Sequence, residues 1–217
     1  MNSSGKLGLG LGYERIGSDL LNENGAFLSL GYKLSNKLML GLTTKYLFWS
    51  VGDIPDDPVT GADPLSNQSQ GAIGLDLGLM WKSPIQDARF GLLLKNVNEP
   101  NLAKTSGLGD AGALPRDLHL GVSLPVQETS MVTVQYVIRD LGGEADGRLL
   151  VGGETRLVEG LMLRAGGSKL FQEDASGDLN AGLGYRRQKL QFDYGYHIPL
   201  DLTETNGSHR FSLGYLF

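Results

Sequence analysis

Charged side chains recur at alternate positions of this chain, and that spacing decides which chemistry is open to them. Lys45, Asp76, Lys95, Arg148, Glu154, Arg156, Arg164, Asp193 and Arg210 fall on one side of runs whose other side is mostly leucine, valine, tyrosine or phenylalanine. From Lys6 to Arg210, that side carries twelve basic residues against six acidic ones. Fixed positive charge around an aqueous interior would give a pore with a mild anion preference. Opposite signs are interspersed, however, and charge taken out of water is tolerated only when it is paired. A network of ion pairs packing a narrow interior is therefore expected. Gly8, Gly10, Gly12, Gly41, Gly74, Gly78, Gly91, Gly121, Gly182 and Gly184 lie on the same side. They remove bulk there, which makes room for a plug or relieves strand curvature.

Other clusters invite sharper chemistry and mostly fail to support it. Asp53, Asp56, Asp57 and Asp63 share one loop. Calcium takes several carboxylate oxygens, but the spacing is not that of an EF-hand, and Pro55 and Pro58 interrupt it. A solvated acidic loop is expected, with no metal and no cofactor. Asn96, Asn98, Glu99, Pro100 and Asn101 form an Asn- and Pro-rich segment suited to a folded turn at a rim. Together with Asp53, Asp56 and Asp57 it is the candidate surface for docking a partner. His119 and His197 fall on the charged side and His209 on the apolar side, each on a different run. His209 is followed on its own side by Phe211 rather than a serine, so the Ser–His pair of a lipid-facing hydrolase is absent. No catalytic residue is assigned, and a non-enzymatic protein is expected.

The elements that carry these residues read as strands. Twelve segments place apolar residues on every second position, the period of a strand with one greasy face. The last is typical: Phe211, Leu213, Tyr215 and Phe217 alternate with Arg210, Ser212, Gly214 and Leu216. A helix would need three-to-four spacing, and alternate glycines would weaken it by roughly 1 kcal/mol each. Short links are expected at 35–36, 83–86, 127–129, 158–159 and 188. Longer ones are expected at 16–24, 51–69, 98–116, 140–147, 171–177 and 199–208. Strict alternation of trimmed and elaborated links is the two-rim asymmetry of outer-membrane barrels, and a Greek-key sandwich gives no reason for it. Tyr13, Tyr32, Phe48, Trp81, Tyr185, Tyr215 and Phe217 gather toward strand ends, as interfacial girdles do.

The reading is thus an all-β, antiparallel up-and-down transmembrane β-barrel, a single domain over 1–217, with short periplasmic turns, long extracellular loops and both termini periplasmic. An open edge would leave backbone groups unsatisfied in lipid, so closure is expected. Composition agrees. The 217 residues include 32 glycines and no cysteine, so a disulfide framework is excluded. No run of about 18 apolar residues offers a membrane helix. The net charge of −5 argues against a nucleic-acid partner. Residues 1–5, Met-Asn-Ser-Ser-Gly, lack the charged and apolar regions of a secretory signal, so a processed or shortened N-terminus is expected. Expected partners are outer-membrane lipid, the barrel-assembly machinery through the closing strand (Phe211, Leu213, Tyr215, Phe217), and other envelope proteins.

Particular segments add a resemblance. Phe90-Gly-Leu-Leu-Leu-Lys-Asn-Val-Asn-Glu-Pro-Asn-Leu102 and Leu114-Pro-Arg-Asp-Leu-His-Leu-Gly-Val-Ser-Leu124 resemble the PorV/PorQ group of outer-membrane proteins, as does the ending from Leu190. The resemblance implies fourteen-stranded barrels related to FadL transporters, with an N-terminal hatch. It also implies a scaffold or shuttle role in protein secretion or surface attachment of the type IX kind. Twelve strands are read here, so either two strands and the hatch are missing or the barrel is a shorter closed one. The alternative is a FadL-like or porin-like barrel that transports small or hydrophobic solutes.

Overall fold

In the computed structural model, residues 6–18, 20–55, 61, 66–103, 112–171, 176–200 and 207–215 are described. They contain twelve strands and no α-helix. The strands are β1 (Leu7–Gly17), β2 (Leu21–Lys33), β3 (Leu38–Val51), β4 (Ser69–Lys82), β5 (Arg89–Lys95) and β6 (Asp117–Gln127). They continue with β7 (Ser130–Arg139), β8 (Asp146–Val158), β9 (Leu161–Leu170), β10 (Gly177–Arg187), β11 (Leu190–Pro199) and β12 (Ser208–Tyr215). All belong to one sheet in sequence order, with every resolved pairing antiparallel. Most strands have the 9–11 residues, or slightly more, that a tilted crossing of a bilayer takes. β1 and β12 end the order, and each has one paired neighbour among the described residues.

The expected link lengths hold with one exception. A long link is expected over 16–24. The ladder instead continues through them: Arg15 pairs with Asn24, Ile16 with Glu23 and Gly17 with Asn22. The turn shrinks to 18–20, closed by Ser18 N–H donating to Leu21 O (2.8 Å). Side chains make the extension possible, since the Arg15 guanidinium donates to Asn22 Oδ1 and the Tyr13 hydroxyl to Asn24 Oδ1. The trimmed links are as anticipated. In the one at 83–88, Ser83 N–H donates to Ala88 O (2.8 Å) and Lys82 bridges Asp87 (2.8 Å). The hydrogen bond from the Lys82 ammonium holds the exposed Asp87 carboxyl below its ordinary range.

Two compact units make up the chain. One comprises 1–79, 93–117 and 141–143, and the other 80–92, 118–140 and 144–217. In the second unit, register carries one row of residues across six strands: Thr133, Gly152, Gly166, Asn180, His197 and Ser208. The adjacent row on the same face is Met131, Glu154, Arg164, Gly182, Gly195 and Arg210. Cross-strand neighbours share a face, so the charged and glycine positions inferred from periodicity do form one surface. The first unit does the same with the rows Glu14, Gly25, Leu47 and Ile16, Glu23, Trp49.

Burial is inverted relative to a protein dissolved in water. Among the described residues no large side chain is fully buried, and the buried apolar residues are Ala88, Ala103 and Val137. Leu11 is 81 % exposed and Phe211 79 %, while the Lys45 side chain is 5 % exposed. In water, each exposed leucine or phenylalanine would forgo about 1.5–3 kcal/mol of burial. Against lipid tails the same face is solvated. The whole arrangement is that of an up-and-down transmembrane β-barrel.

The tight hairpin turns carry the strain of the trimmed rim. Gly160 has φ +82°, and a Cβ there would lie 2.3 Å from Arg186 O, the backbone of the next hairpin. Arg186 N–H also donates to Gly160 O (2.7 Å), so the two turns are tied. Gly160→Ala is expected to lower the stability of the refolded protein by about 1–3 kcal/mol, measured as a shift in the urea midpoint of heat-modifiable folding. Gly91→Ala, where a Cβ meets open space, serves as the neutral control.

Candidate functional site

On the charged face of the second unit, alternation places polar groups at two levels with glycines between them. At one level Arg164 stands between two carboxylates. It donates to Glu154 Oε2 from β8 (2.5 Å) and to Asp193 Oδ1 from β11 (2.6 Å). Asp193 also accepts from Gln191 Nε2 (2.7 Å), and Gln191 Oε1 accepts from Arg186 (2.5 Å). At the other level Arg148 donates to Ser168 Oγ (2.7 Å) and to Asp178, and Asp178 also accepts from Ser168 and Asn180 (both 2.6 Å). Gln135 meets His119 Nδ1 at 2.8 Å on the same face. The ion-pair network expected from sequence is therefore present in this unit.

Between the two levels lies a cavity of about 710 Å³. Its floor is main chain at Gly152, Gly166, Gly182 and Gly195, flanked in the same rows by Thr133, Glu154, Arg164 and Asn180, and Met131, Asp193 and Arg210 stand at its margins. Glycine is needed at some of these positions and not others. A Cβ at Gly166 would stand 2.8 Å from Val151 O, whereas one at Gly195 would meet nothing within 4 Å. Gly195 thus leaves space that no backbone contact demands. Among the described residues the Arg210 guanidinium makes no hydrogen bond or ion pair, and neither does that of Arg156, which is exposed.

The first unit holds a different device. The segment after β5 folds back over the charged face of β3 and β4. Val97 N–H donates to Leu75 O (2.8 Å), and the Asn98 side chain continues the ladder in place of backbone, accepting from Leu75 N–H (2.9 Å) and donating to Ile73 O (2.8 Å). Beneath it, Lys45 Nζ pairs with Asp76 Oδ1 (2.7 Å), which also accepts from Asn96 N–H (2.8 Å). Asn96 Nδ2 donates to Pro115 O (2.8 Å). Pro100 packs where Gly74 has no side chain, 3.2 Å from the position a Cβ would take. Trp49 Nε1–H donates to Leu102 O (3.1 Å). Residues 96–103 and 112–116 therefore form a strap, pinned by an ion pair, an asparagine and an indole.

The positions singled out from sequence separate accordingly. Lys45 and Asp76 anchor the strap, and Arg148, Glu154, Arg164 and Asp193 build the polar levels. Lys95 makes no such contact, and Arg210 borders the cavity. Of the candidate docking residues, Asn96 and Pro100 are buried in the strap, Asn98 and Glu99 are exposed, and Glu99 pairs with Arg116 (2.9 Å). Asp53 accepts from Asn67 Nδ2 (3.0 Å) within its own loop. Asp56, Asp57 and the terminal Phe217 lie outside the described residues, whereas Phe211, Leu213 and Tyr215 sit on the apolar face of β12. Sequence reasoning missed Ser168, Asn180 and Gln191 as partners of the charges. All three fall on the charged face by the same alternation and were recoverable from it.

The class these features define is the outer-membrane β-barrel. No family model matches the chain and no curated protein matches it. Solved structures do. The CymD monoaromatic hydrocarbon channel superposes with a TM-score of 0.64 at 14 % identity, over 97 % of this chain and 78 % of that one. A FadL homologue of Pseudomonas aeruginosa superposes with a TM-score of 0.57 at 15 % identity, over 82 % of this chain and 60 % of that one. At such identities the likeness establishes the fold and nothing finer.

Arg164 is the keystone of its level. Removing it leaves Glu154 and Asp193 facing each other across the gap without a cation. Because the group is 37 % exposed, the loss is moderated by solvent, and Arg164→Met is expected to cost about 1–3 kcal/mol. Adding Glu154→Gln and Asp193→Asn should return most of that loss, which a denaturant titration of the single and triple variants would show.

Proposed function

We propose that this protein is a channel of the bacterial outer membrane that passes small apolar solutes. The observation that carries this reading is the glycine-floored cavity: it lies on the face turned away from lipid, and four glycines leave main chain bare along part of its floor. The names of the two structural neighbours, a monoaromatic hydrocarbon channel and a FadL homologue, support the same direction. In this reading lipid tails solvate the leucine face, the trimmed turns and both termini are periplasmic, and the closing strand is recognised by the assembly machinery. No step needs catalysis or a cofactor. A scaffold or shuttle role in protein secretion is the second reading. It draws on the resemblance of segments 90–102 and 114–124, but Asn96 and Pro100, which that reading would offer to a partner, are spent holding the strap to the sheet.

Flux separates the two. Proteoliposomes carrying the protein are expected to take up toluene several-fold faster than empty vesicles, while planar bilayers show small or no ionic steps because the charged levels are paired. Gly195→Leu puts bulk into open space without touching backbone, so it should fold normally by heat modifiability and reduce toluene uptake at least fivefold. Uptake no faster than in empty vesicles would sink the channel reading and return the scaffold to the lead.

A further inference from the structure

A second cavity, of about 220 Å³, lies in the first unit beneath the strap. Two register rows supply its floor: Ile16, Glu23 and Trp49 from one, Glu14 and Leu47 from the next. Its roof is apolar, at Leu102 and Leu114. The two roof segments, 100–103 and 112–114, are tied to each other. Leu102 N–H donates to Gly112 O (2.9 Å), Leu114 N–H donates to Pro100 O (3.0 Å), and Asn101 bridges Ala113. The hydrogen bond from Trp49 to Leu102 O joins roof to floor, so the indole is fixed by its N–H edge and its π surface is what remains to meet a ligand.

Charge sets this cavity apart from the one in the second unit. Glu14 and Glu23 are diagonal neighbours on one face, and their carboxylates make no ion pair or hydrogen bond among the described residues. Glycine at 25 lets the Glu14 side chain run across the ladder, since a Cβ there would lie 3.3 Å from Glu14 Cγ. The nearest arginine in sequence, Arg15, points to the opposite face and is held by Asn22. Two carboxylates with no side-chain partner among the described residues thus border a site whose other walls are apolar or aromatic apart from Asn24. An indole face attracts a cation held beside it.

We propose that this cavity binds small apolar molecules that carry a protonated amine, with the apolar body under Leu102 and Leu114 and the ammonium at Glu14 and Glu23. The volume suits one ring or a short alkyl chain with its head group. A carboxylate of the same shape is repelled, and a neutral isostere gains only the apolar part. The site is separate from the glycine-floored cavity and stands whether or not the protein conducts solute.

Trp49 supplies the readout. In the full chain carrying Trp81→Phe, refolded in neutral detergent and checked for heat modifiability, Trp49 is the only tryptophan. Titration with benzylamine, toluene and benzoate at pH 7 is expected to perturb its fluorescence, benzylamine at least tenfold more tightly than benzoate and severalfold more tightly than toluene. Glu14→Gln with Glu23→Gln should remove the advantage of benzylamine while leaving the response to toluene, which also shows that the cavity survives the substitutions. Equal affinity for benzylamine and benzoate, a preference unchanged in the double variant, or no response to any of the three would each overturn the proposal.

Discussion

A backbone amide inside hydrocarbon has no water to turn to, and everything else in this molecule follows from that. A lone unsatisfied group costs several kcal/mol there, so the chain answers with strands whose polar groups are paired along their length. Once strands are imposed, side chains alternate, and one face must be as apolar as the surrounding lipid. Most charges along the spanning strands then sit on the other face, and those drawn deepest into it are paired. The asparagine that stands in for backbone along β4 shows how strictly the rule is met: where the main chain leaves the ladder, a side-chain amide takes over both of its hydrogen bonds.

Pairing on that other face is local and layered. Arg164 neutralises carboxylates from two strands, and Arg148 and Asp178 form a second level with serine and asparagine completing the shell. Interior charge here does mechanical work: it spans strands sideways where no hydrophobic core exists to do so. The first unit reaches the same end by another route, burying Lys45 against Asp76 and using the pair to seat a segment from outside the sheet. In both units glycine marks where something must pass close, whether Pro100 over Gly74 or a backbone carbonyl beside Gly166.

Much of this was legible in the sequence because a period of two is hard to counterfeit over twelve segments. Strand number, face assignment and the trimmed-against-elaborated links all come from it. The link expected over 16–24 is shorter in the structure, because the ladder runs on through Asn22, Glu23 and Asn24, turning Glu23 inward and bonding the other two to Arg15 and Tyr13. The strap was beyond reach for a different reason. That Asn96 to Leu102 fold was expected, but which face they cover depends on contacts about twenty to fifty residues away, with Asp76, Ile73 and Trp49. Single-sequence periodicity carries no information about such long-range contacts. Glu23 and Trp49 were missed as a pair for the same reason, since register brings them together and composition does not.

The glycine floor has an evolutionary side. A pocket bounded by side chains can be widened or narrowed by substitution, since rotamers and sizes vary both ways. A pocket whose floor is already main chain stands at its maximum width, and any change at Gly152, Gly182 or Gly195 can only subtract. Adaptation to a new solute would then run in one direction, from permissive toward selective, with each step adding a single side chain to an otherwise unchanged frame.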